Sequence, residues 1–433
     1  MDPTLIGLIG LTVMLIALLF GVPIAAILGI IGLLGMAALA GWQAALSMAA
    51  TAPFHTIADE GFAALVLFLM MGMIVEASGL AELVYDSLNK WFGRLPGGML
   101  MATILGAGVF GACSGSSLAT AVFFGRVASP HLVKHGHHPA LACGIACVGG
   151  TLAALIPPSG LLIIYGLVSE TSIAHLFLAG LIPGIVNILL YFVIIFFVAK
   201  LRPQLAPKGS FYSWRERISS ANKVWPLALI GVFIISSLYF GIATPTEIGG
   251  LGAFFCLIVT ISVVGIRRAR VPKAMFETAR EGAMILVIVA TALMFGRFLT
   301  MSRLPEDMVN WIANSGIHPA AILASLVIMY IVMGMFIGSI ELIVITTPIV
   351  LPLLTSLGFH PIWWGVVLVQ LCEIGLMTPP MGMICYLVKG TVGELATLEQ
   401  IFMGALLFAL SDFILLALIL IFPDLVLFLP NRM

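Results

Sequence analysis

A pair of adjacent prolines occurs twice in this chain, at Pro157-Pro158 and Pro379-Pro380, and other landmarks recur at the same offset. Pro23 falls on Pro245, Pro130 on Pro352, Gly136 on Gly358, Ser117 on Ser339 and His138-Pro139 on His360-Pro361, without a gap. With a slight slip, the Leu-Met-Met-Gly ending at Gly72 meets the Leu-Met-Phe-Gly ending at Gly296. Two apolar halves of merely similar composition would not share proline spacing, so the chain reads as two copies of one unit. Proline removes a donor and fixes φ, so each shared proline marks a place where both copies stop, turn or break a helix.

Those breaks lie in very apolar surroundings. The 433 residues are 61% hydrophobic and 9% charged, with mean hydropathy +1.20, whereas soluble domains carry about 25% charged residues. At roughly 20 residues per span there is room for on the order of a dozen membrane segments. The first apolar stretch, Thr4 to Ala40, is too long for a signal peptide and has no basic leader, so it is expected to stay as membrane helix. All six cysteines sit in apolar runs. Cys143 and Cys147 share a face, but no histidine or carboxylate completes a metal set, so they read as small hydrophobes.

Between Leu95 and Ala199 only Arg126, Lys134 and Glu170 are formally charged. The polar clusters there are Gly111-Ala-Cys-Ser-Gly-Ser-Ser117 and Leu155-Ile-Pro-Pro-Ser-Gly160. They are not surface loops but helix interruptions at membrane depth, tolerated only where the freed backbone lines a cavity or binds something. The expected architecture is an all-α polytopic membrane protein made of inverted repeats. The first repeat (1–200) carries a re-entrant hairpin at about 99–133 and a broken helix at about 140–168. The second (224–433) carries a hairpin at about 319–357 and a broken helix at about 361–389, and 201–223 joins the two. Matching interrupted helices in two halves point to a secondary transporter with its site near the bilayer midplane.

Residues 200–223 hold six basic residues against one acidic, and 267–281 hold five against two, together eleven of the nineteen lysines and arginines. Two spans separate these basic loops, so they share a face, and the positive-inside rule makes it cytoplasmic. Inverted repeats then put the N-terminus on the periplasmic side.

Sodium needs several hard oxygens, which an unwound helix supplies from carbonyls and hydroxyls. Ser114, Gly115, Ser116 and Ser117 facing Pro157, Pro158 and Ser159 are expected to form one cation cage. Gly338 and Ser339 facing Thr378, Pro379 and Pro380 are expected to form its counterpart. Glycine turns there without a Cβ penalty, and half-helices opening at such breaks aim positive dipole ends inward, which suits a carboxylate. Arg126, Ser116, Glu341 and Glu373 are the candidates for meeting an anionic solute, since intramembrane charge is rare and usually functional. Arg126 could equally snorkel to the interface near Pro130. Glu76 reads as a satisfied buried carboxylate. His131, His135, His137 and His138 border a short turn and read as interfacial rather than as a metal cluster.

At these motifs the chain resembles the large, DctM-like membrane subunit of tripartite ATP-independent periplasmic (TRAP) transporters. The likeness rests on Phe110-Gly-Ala-Cys-Ser-Gly-Ser-Ser117, Gly149-Gly-Thr-Leu152, Ile156-Pro-Pro-Ser159, Phe177-Leu-Ala-Gly-Leu-Ile-Pro-Gly184, Ala243-Thr-Pro-Thr-Glu247, Thr346-Thr-Pro348 and Glu373-Ile-Gly-Leu-Met-Thr-Pro-Pro380. It covers nearly the whole chain. The resemblance implies an elevator-type, sodium-driven importer of carboxylate-bearing solutes in a bacterial inner membrane, with sodium the coupling ion and no other cofactor. It also implies two partners, a small four-helix membrane subunit (Q type) on a separate chain and a periplasmic substrate-binding protein (P type); nucleic acid has no place in it.

Two features depart from the family. An acidic residue often stands where this chain has Gly338, with Glu341 one helical turn later, and a proline common around Phe62–Phe68 is missing. A stand-alone sodium–anion symporter of related hairpin architecture is the competing reading. An intramembrane serine hydrolase using Ser114 lacks both a Gly-x-Ser-Gly elbow and a histidine partner in an apolar run. A pure scaffold has no use for paired broken helices. The orientation is testable at Lys208: an impermeant amine reagent should label it in inside-out vesicles, and labelling only from the opposite side would reverse the topology.

Overall fold

The computed structural model describes residues 2–209 and 211–433. The first half contains α1 (Pro3–Leu19), α2 (Ile24–Ala40), α3 (Trp42–Ala58), α4 (Glu60–Ser78) and α5 (Leu80–Phe92). It continues with α6 (Gly98–Ser114), α7 (Ser117–Lys134), α8 (Pro139–Leu152), α9 (Gly160–Ser169) and α10 (Ile173–Leu201). The second half contains α11 (Trp214–Tyr239), α12 (Pro245–Val264), α13 (Ile266–Ala269), α14 (Val271–Met301) and α15 (Leu304–Asn314). It ends with α16 (Pro319–Gly334), α17 (Ser339–Ser356), α18 (Pro361–Met377), α19 (Met383–Val392), α20 (Leu398–Ile421) and α21 (Asp424–Leu427).

The repeat seen in the sequence governs these boundaries. Helices α7 and α17 both start and end at the offset that separates the two Pro-Pro pairs, and α8 and α18 start at it too. The shared His-Pro pairs explain the second match. His138 and His360 are N-caps whose Nδ1 accepts from the amides of Ala140 and Ile362, each at 3.2 Å, with proline at the first helical position. Proline is tolerated there because its missing amide would be an orphan anyway. The packing repeats as well: α7 lies on α8 and α19, while α17 lies on α18 and α9. Behind them, α2 packs on α14 and α12 on α4, with α4 and α14 touching each other.

Two polar stretches differ from the sequence reading. Residues 214–223, read as linker, are the first turns of α11, opened by a capping box in which Ser213 and Glu216 exchange hydrogen bonds. The basic loop at 267–281 is also helical, as α13 and the start of α14, with Arg270 in the left-handed conformation between them and Pro272 in the first turn. Residues 82–92 form most of the amphipathic helix α5, which packs on α6 and α11. In each case a polar composition was compatible with a helix lying on the surface.

Among the described residues, six helices are long and apolar enough to cross a membrane by length and composition, or seven if the bent α11 is one span. Between such helices no hydrophobic difference favours contact, so close approach depends on small side chains. The α8–α20 crossing is the tightest case: a Cβ on Gly404 would strike the carbonyl of Ala140, and one on Gly144 would strike the backbone of Gly404. Replacing Gly404 with leucine should cost about 2 kcal/mol or more and lower the melting temperature in detergent. Gly231→Leu, where no atom lies within 4 Å of the added Cβ, is the control, and equal melting of both would contradict the packing.

Candidate functional site

Helices α6 and α7 form a hairpin whose tip is Gly115-Ser116. Gly115 has φ +60°, and its carbonyl accepts from the amide of Gly160 at 3.2 Å. The first tip therefore touches the start of α9, directly after the Pro157–Ser159 break. Around it Gly72 of α4 comes so close that a Cβ there would meet Ser114 Cα and the Cys113 carbonyl, whereas a Cβ on its counterpart Gly296 would make only ordinary contact with Pro348. The hydroxyls near the tip are largely committed. Ser116 caps α7 through Ala119, Ser159 caps α9 through Leu162, and Ser114 Oγ lies 3.0 Å from Thr120 Oγ1. Thr120, which donates to the Ser116 carbonyl at 2.8 Å, was not singled out by the sequence.

The second hairpin is α16 and α17, and here Ser339 Oγ donates to Glu373 Oε1 at 3.1 Å. Ser117, its repeat equivalent on the first hairpin, lies near enough to the same carboxylate to act on it, though its hydroxyl meets no partner at hydrogen-bond geometry among the described residues. Ser117 Oγ and Glu373 Oε2 are both buried and both without a partner among the described residues. Serines from both tips thus converge on Glu373, 1% exposed on α18. Leaving two such oxygens unpaired is costly unless something fills the gap. Two hydroxyls and a carboxylate are hard oxygen donors, the set that a small alkali cation takes.

The two breaks are not equivalent in burial. Pro157, Pro158 and Ser159 are buried, whereas Thr378 and Pro379 are half-buried and Pro380 is exposed. The Thr378 hydroxyl is spent on the Ile374 carbonyl at 2.6 Å. The second hairpin is held instead by Gly334 and Gly375, whose backbones meet, and by the Ser339–Glu373 bond. Glu341 folds back so that its Oε2 occupies the space a Cβ on Gly338 would fill. The carboxylate missing from position 338 is thereby returned to that spot, at the positive end of α17.

Arg126 is exposed and faces a cavity of about 630 Å³ with Glu76, Glu82, Arg268, Arg270 and Lys273. Glu76 is half-buried on this cavity, not the enclosed, satisfied carboxylate the sequence suggested. A larger cavity of about 1350 Å³ lies at the other ends of α4 and α14, among His55, Asp59, Glu170, Arg297, Thr300 and Thr347. Asp59 and Glu76 mark the two ends on α4, about 26 Å apart at about 1.5 Å per residue. Arg297, exposed in the larger cavity, is a second cation that the sequence reading did not single out. The histidines near the first hairpin have structural duties. His138 is a cap, His135 Nδ1 lies 2.8 Å from the His131 carbonyl, and His137 Nδ1 lies 3.2 Å from that of Leu132.

Residues 11–425 match the family model described as "Tripartite ATP-independent periplasmic transporter, DctM component". The chain belongs to this family. It is 33% identical over 342 residues to the C4-dicarboxylate TRAP transporter large permease protein DctM of Pseudomonas aeruginosa, covering 78% of this chain and 79% of that protein. It is 29% identical over 366 residues to the sialic acid TRAP transporter large permease protein SiaM of Vibrio cholerae, covering 84% of each. The isethionate TRAP transporter permease protein DctMQ of Oleidesulfovibrio alaskensis is 30% identical over 398 residues, 89% of this chain and 60% of that one. The fold is also that of the YdaH transporter of Alcanivorax borkumensis, with TM-score 0.62 at 14% identity, over 98% of this chain and 99% of that chain.

The TRAP large permeases are transport proteins, and this multi-pass chain is one of them. The hydrolase reading finds no support at Ser114, whose hydroxyl faces Thr120 rather than a histidine. The convergence of the tips is directly testable. In a background without the six native cysteines, Ser117→Cys and Ser339→Cys should be joined by a short bis-thiol reagent and recovered as one cross-linked peptide. Failure to join them would separate the tips.

Proposed function

We propose that this TRAP permease is the translocating subunit of a sodium-coupled importer for an organic acid. The observation that carries the reading is the pair of unpartnered buried oxygens, Ser117 Oγ of the first tip and Glu373 Oε2 of α18, beside the bond that ties Ser339 of the second tip to the same carboxylate. A sodium ion would take Ser117, Ser339 and Glu373 as ligands, with backbone oxygens of the Gly115 and Pro157–Ser159 turns nearby. A bound cation neutralises the carboxylate and draws the two tips together. A lone charge at the bilayer centre is expensive, so an anion crosses most cheaply when the moving part already carries a compensating cation. Coupling follows from that electrostatic balance.

The two repeats are read as oppositely oriented in the inner membrane, with the basic segments 200–223 and 267–281 cytoplasmic and the N-terminus periplasmic. The hairpins and interrupted helices would then move as a unit against α4 and α14, in the manner of an elevator. Arg126 would meet the departing solute in the cytoplasmic cavity and Arg297 the arriving one in the opposite cavity. Relatives named for C4-dicarboxylate, sialic acid and isethionate support an anionic organic solute, with carboxylate the favoured class. Delivery by a P-type periplasmic binding protein and assembly with a small four-helix Q-type subunit complete the proposal.

Proteoliposomes containing both membrane subunits test it, with a binding protein preloaded with labelled dicarboxylate or sugar acid outside. Uptake should require an inward sodium gradient and the binding protein. Glu373→Gln should raise the half-saturating sodium concentration roughly tenfold, the loss expected for a charged ligand. Uptake unchanged with potassium in place of sodium would sink the coupling. Uptake of free solute without the binding protein would favour a stand-alone symporter.

A further inference from the structure

Arg217, near the start of α11, is 8% exposed, yet its Nε has no hydrogen-bond partner and its guanidinium forms no ion pair among the described residues. A buried guanidinium without a counter-charge is costly. Its position adds to the cost, because the start of a helix is its positive end and favours an anion over a cation. Its neighbours are aromatic. The guanidinium stands 5.3 Å from the centre of the Trp214 ring, and Trp214 meets Trp91 of α5 edge-on at 6.1 Å. A second cation joins the cluster: the Gly209 amide donates to the Gly93 carbonyl at 2.9 Å, and beside that contact Arg94 lies 4.1 Å over Phe211.

The carboxylates of α5 and α11 are engaged elsewhere. Asp86 pairs with Lys90 at 2.6 Å, Glu216 accepts from the Ser213 amide at 2.8 Å, and Glu82 faces the cavity of Arg126. Ala221, Val224 and Ala228 follow Arg217 at helical spacing, and they line an apolar groove of about 300 Å³ with Leu88, Trp91 and Val109. Trp91, Trp214 and Trp225 are exposed around it, and tryptophan settles where acyl chains meet headgroups. An apolar slot thus ends, through Trp91 and Trp214, at two arginines that no carboxylate pairs among the described residues.

The architecture does not require this arrangement. Where α15 meets α1 in the other half, Ala313 stands at the position of Trp91 and Gly316 at that of Arg94. We propose that the groove binds one anionic phospholipid, with an acyl chain between α5 and α11 and the headgroup phosphate on Arg94 and Arg217. Juxtamembrane basic clusters attract anionic lipid of the cytoplasmic leaflet, and the aromatic rings shield the contact from water. The choice of leaflet rests on the orientation proposed above; the binding itself does not.

Native mass spectrometry tests it on the complex of both membrane subunits, titrated with phosphatidylglycerol or with phosphatidylcholine of the same chains. Phosphatidylglycerol should be the tighter ligand. Arg94→Gln and Arg217→Gln should each weaken it roughly fivefold, the share of one cation at a membrane surface, and narrow its lead over phosphatidylcholine. Ala228→Trp fills the groove and should weaken both lipids. Arg267→Gln, which removes an exposed arginine of the other basic segment, should change neither.

Phosphatidylglycerol affinity unchanged in both arginine variants would overturn the inference, and Arg94→Gln decides it if Arg217→Gln fails to fold. Equal affinity of the wild type for the two lipids would overturn it as well. Displacement of phosphatidylglycerol by millimolar inorganic phosphate would make the arginines a site for a free anion instead. A complex that holds no variant-sensitive lipid has its groove covered by the smaller subunit, and the assignment to lipid falls. A reversed orientation would show at Lys208 while leaving this binding intact.

Discussion

The rest of this structure depends on how a backbone can stop being helical inside an apolar protein without leaving its polar groups stranded. In a bilayer there is no water to accept them, so every interruption needs a protein partner. At the first interruption that partner is the tip of a hairpin, while the second hairpin bonds to α18 ahead of its half-open break. The Gly115 carbonyl takes the Gly160 amide on one side, and Ser339 reaches Glu373 on the other. The hairpins could not sit at that depth without the broken helices, nor the broken helices without the hairpins. What remains unpaired there, Ser117 Oγ and Glu373 Oε2, is concentrated at the one place where the two tips meet.

The repeated skeleton carries unrepeated chemistry. Helix ends, His-Pro caps and Pro-Pro breaks obey one offset, yet Glu373 stands opposite Thr151 and Arg94 opposite Gly316. The first break is buried while the second is open at Pro380. Duplicated architecture with a single carboxylate at its centre gives the two tips unequal duties, which a coupling device needs and a symmetric scaffold does not. Glu341 shows the same freedom, since its side chain returns a carboxylate to the site of Gly338 from one turn away.

Legibility in the sequence followed the strength of the local rules. Prolines, glycines and His-Pro pairs act on their own backbone within a turn, so hairpin and break positions were readable almost to the residue, as α7 and α17 illustrate. Polar surface helices were not: 214–223 and 267–281 read as loops because charge and amphipathicity at a membrane face leave little apolar signal. Ser117 and Ser339 were legible through their repeat, and Glu373 as a rare charge. Thr120 and Arg297 were not, because a lone polar residue in an apolar helix announces cost without naming its partner.

The sequence by itself determined that the chain crosses a membrane, that it is built twice, and where each copy must break, because composition and proline geometry act locally and need no knowledge of neighbours. Only the tertiary structure decided that equivalent serines from the two halves share one carboxylate and that Glu76 and Arg126 face a common cavity. Those outcomes depend on which helices cross at glycines such as Gly144, Gly334, Gly375 and Gly404, and close crossing is a property of pairs that no single stretch of chain records.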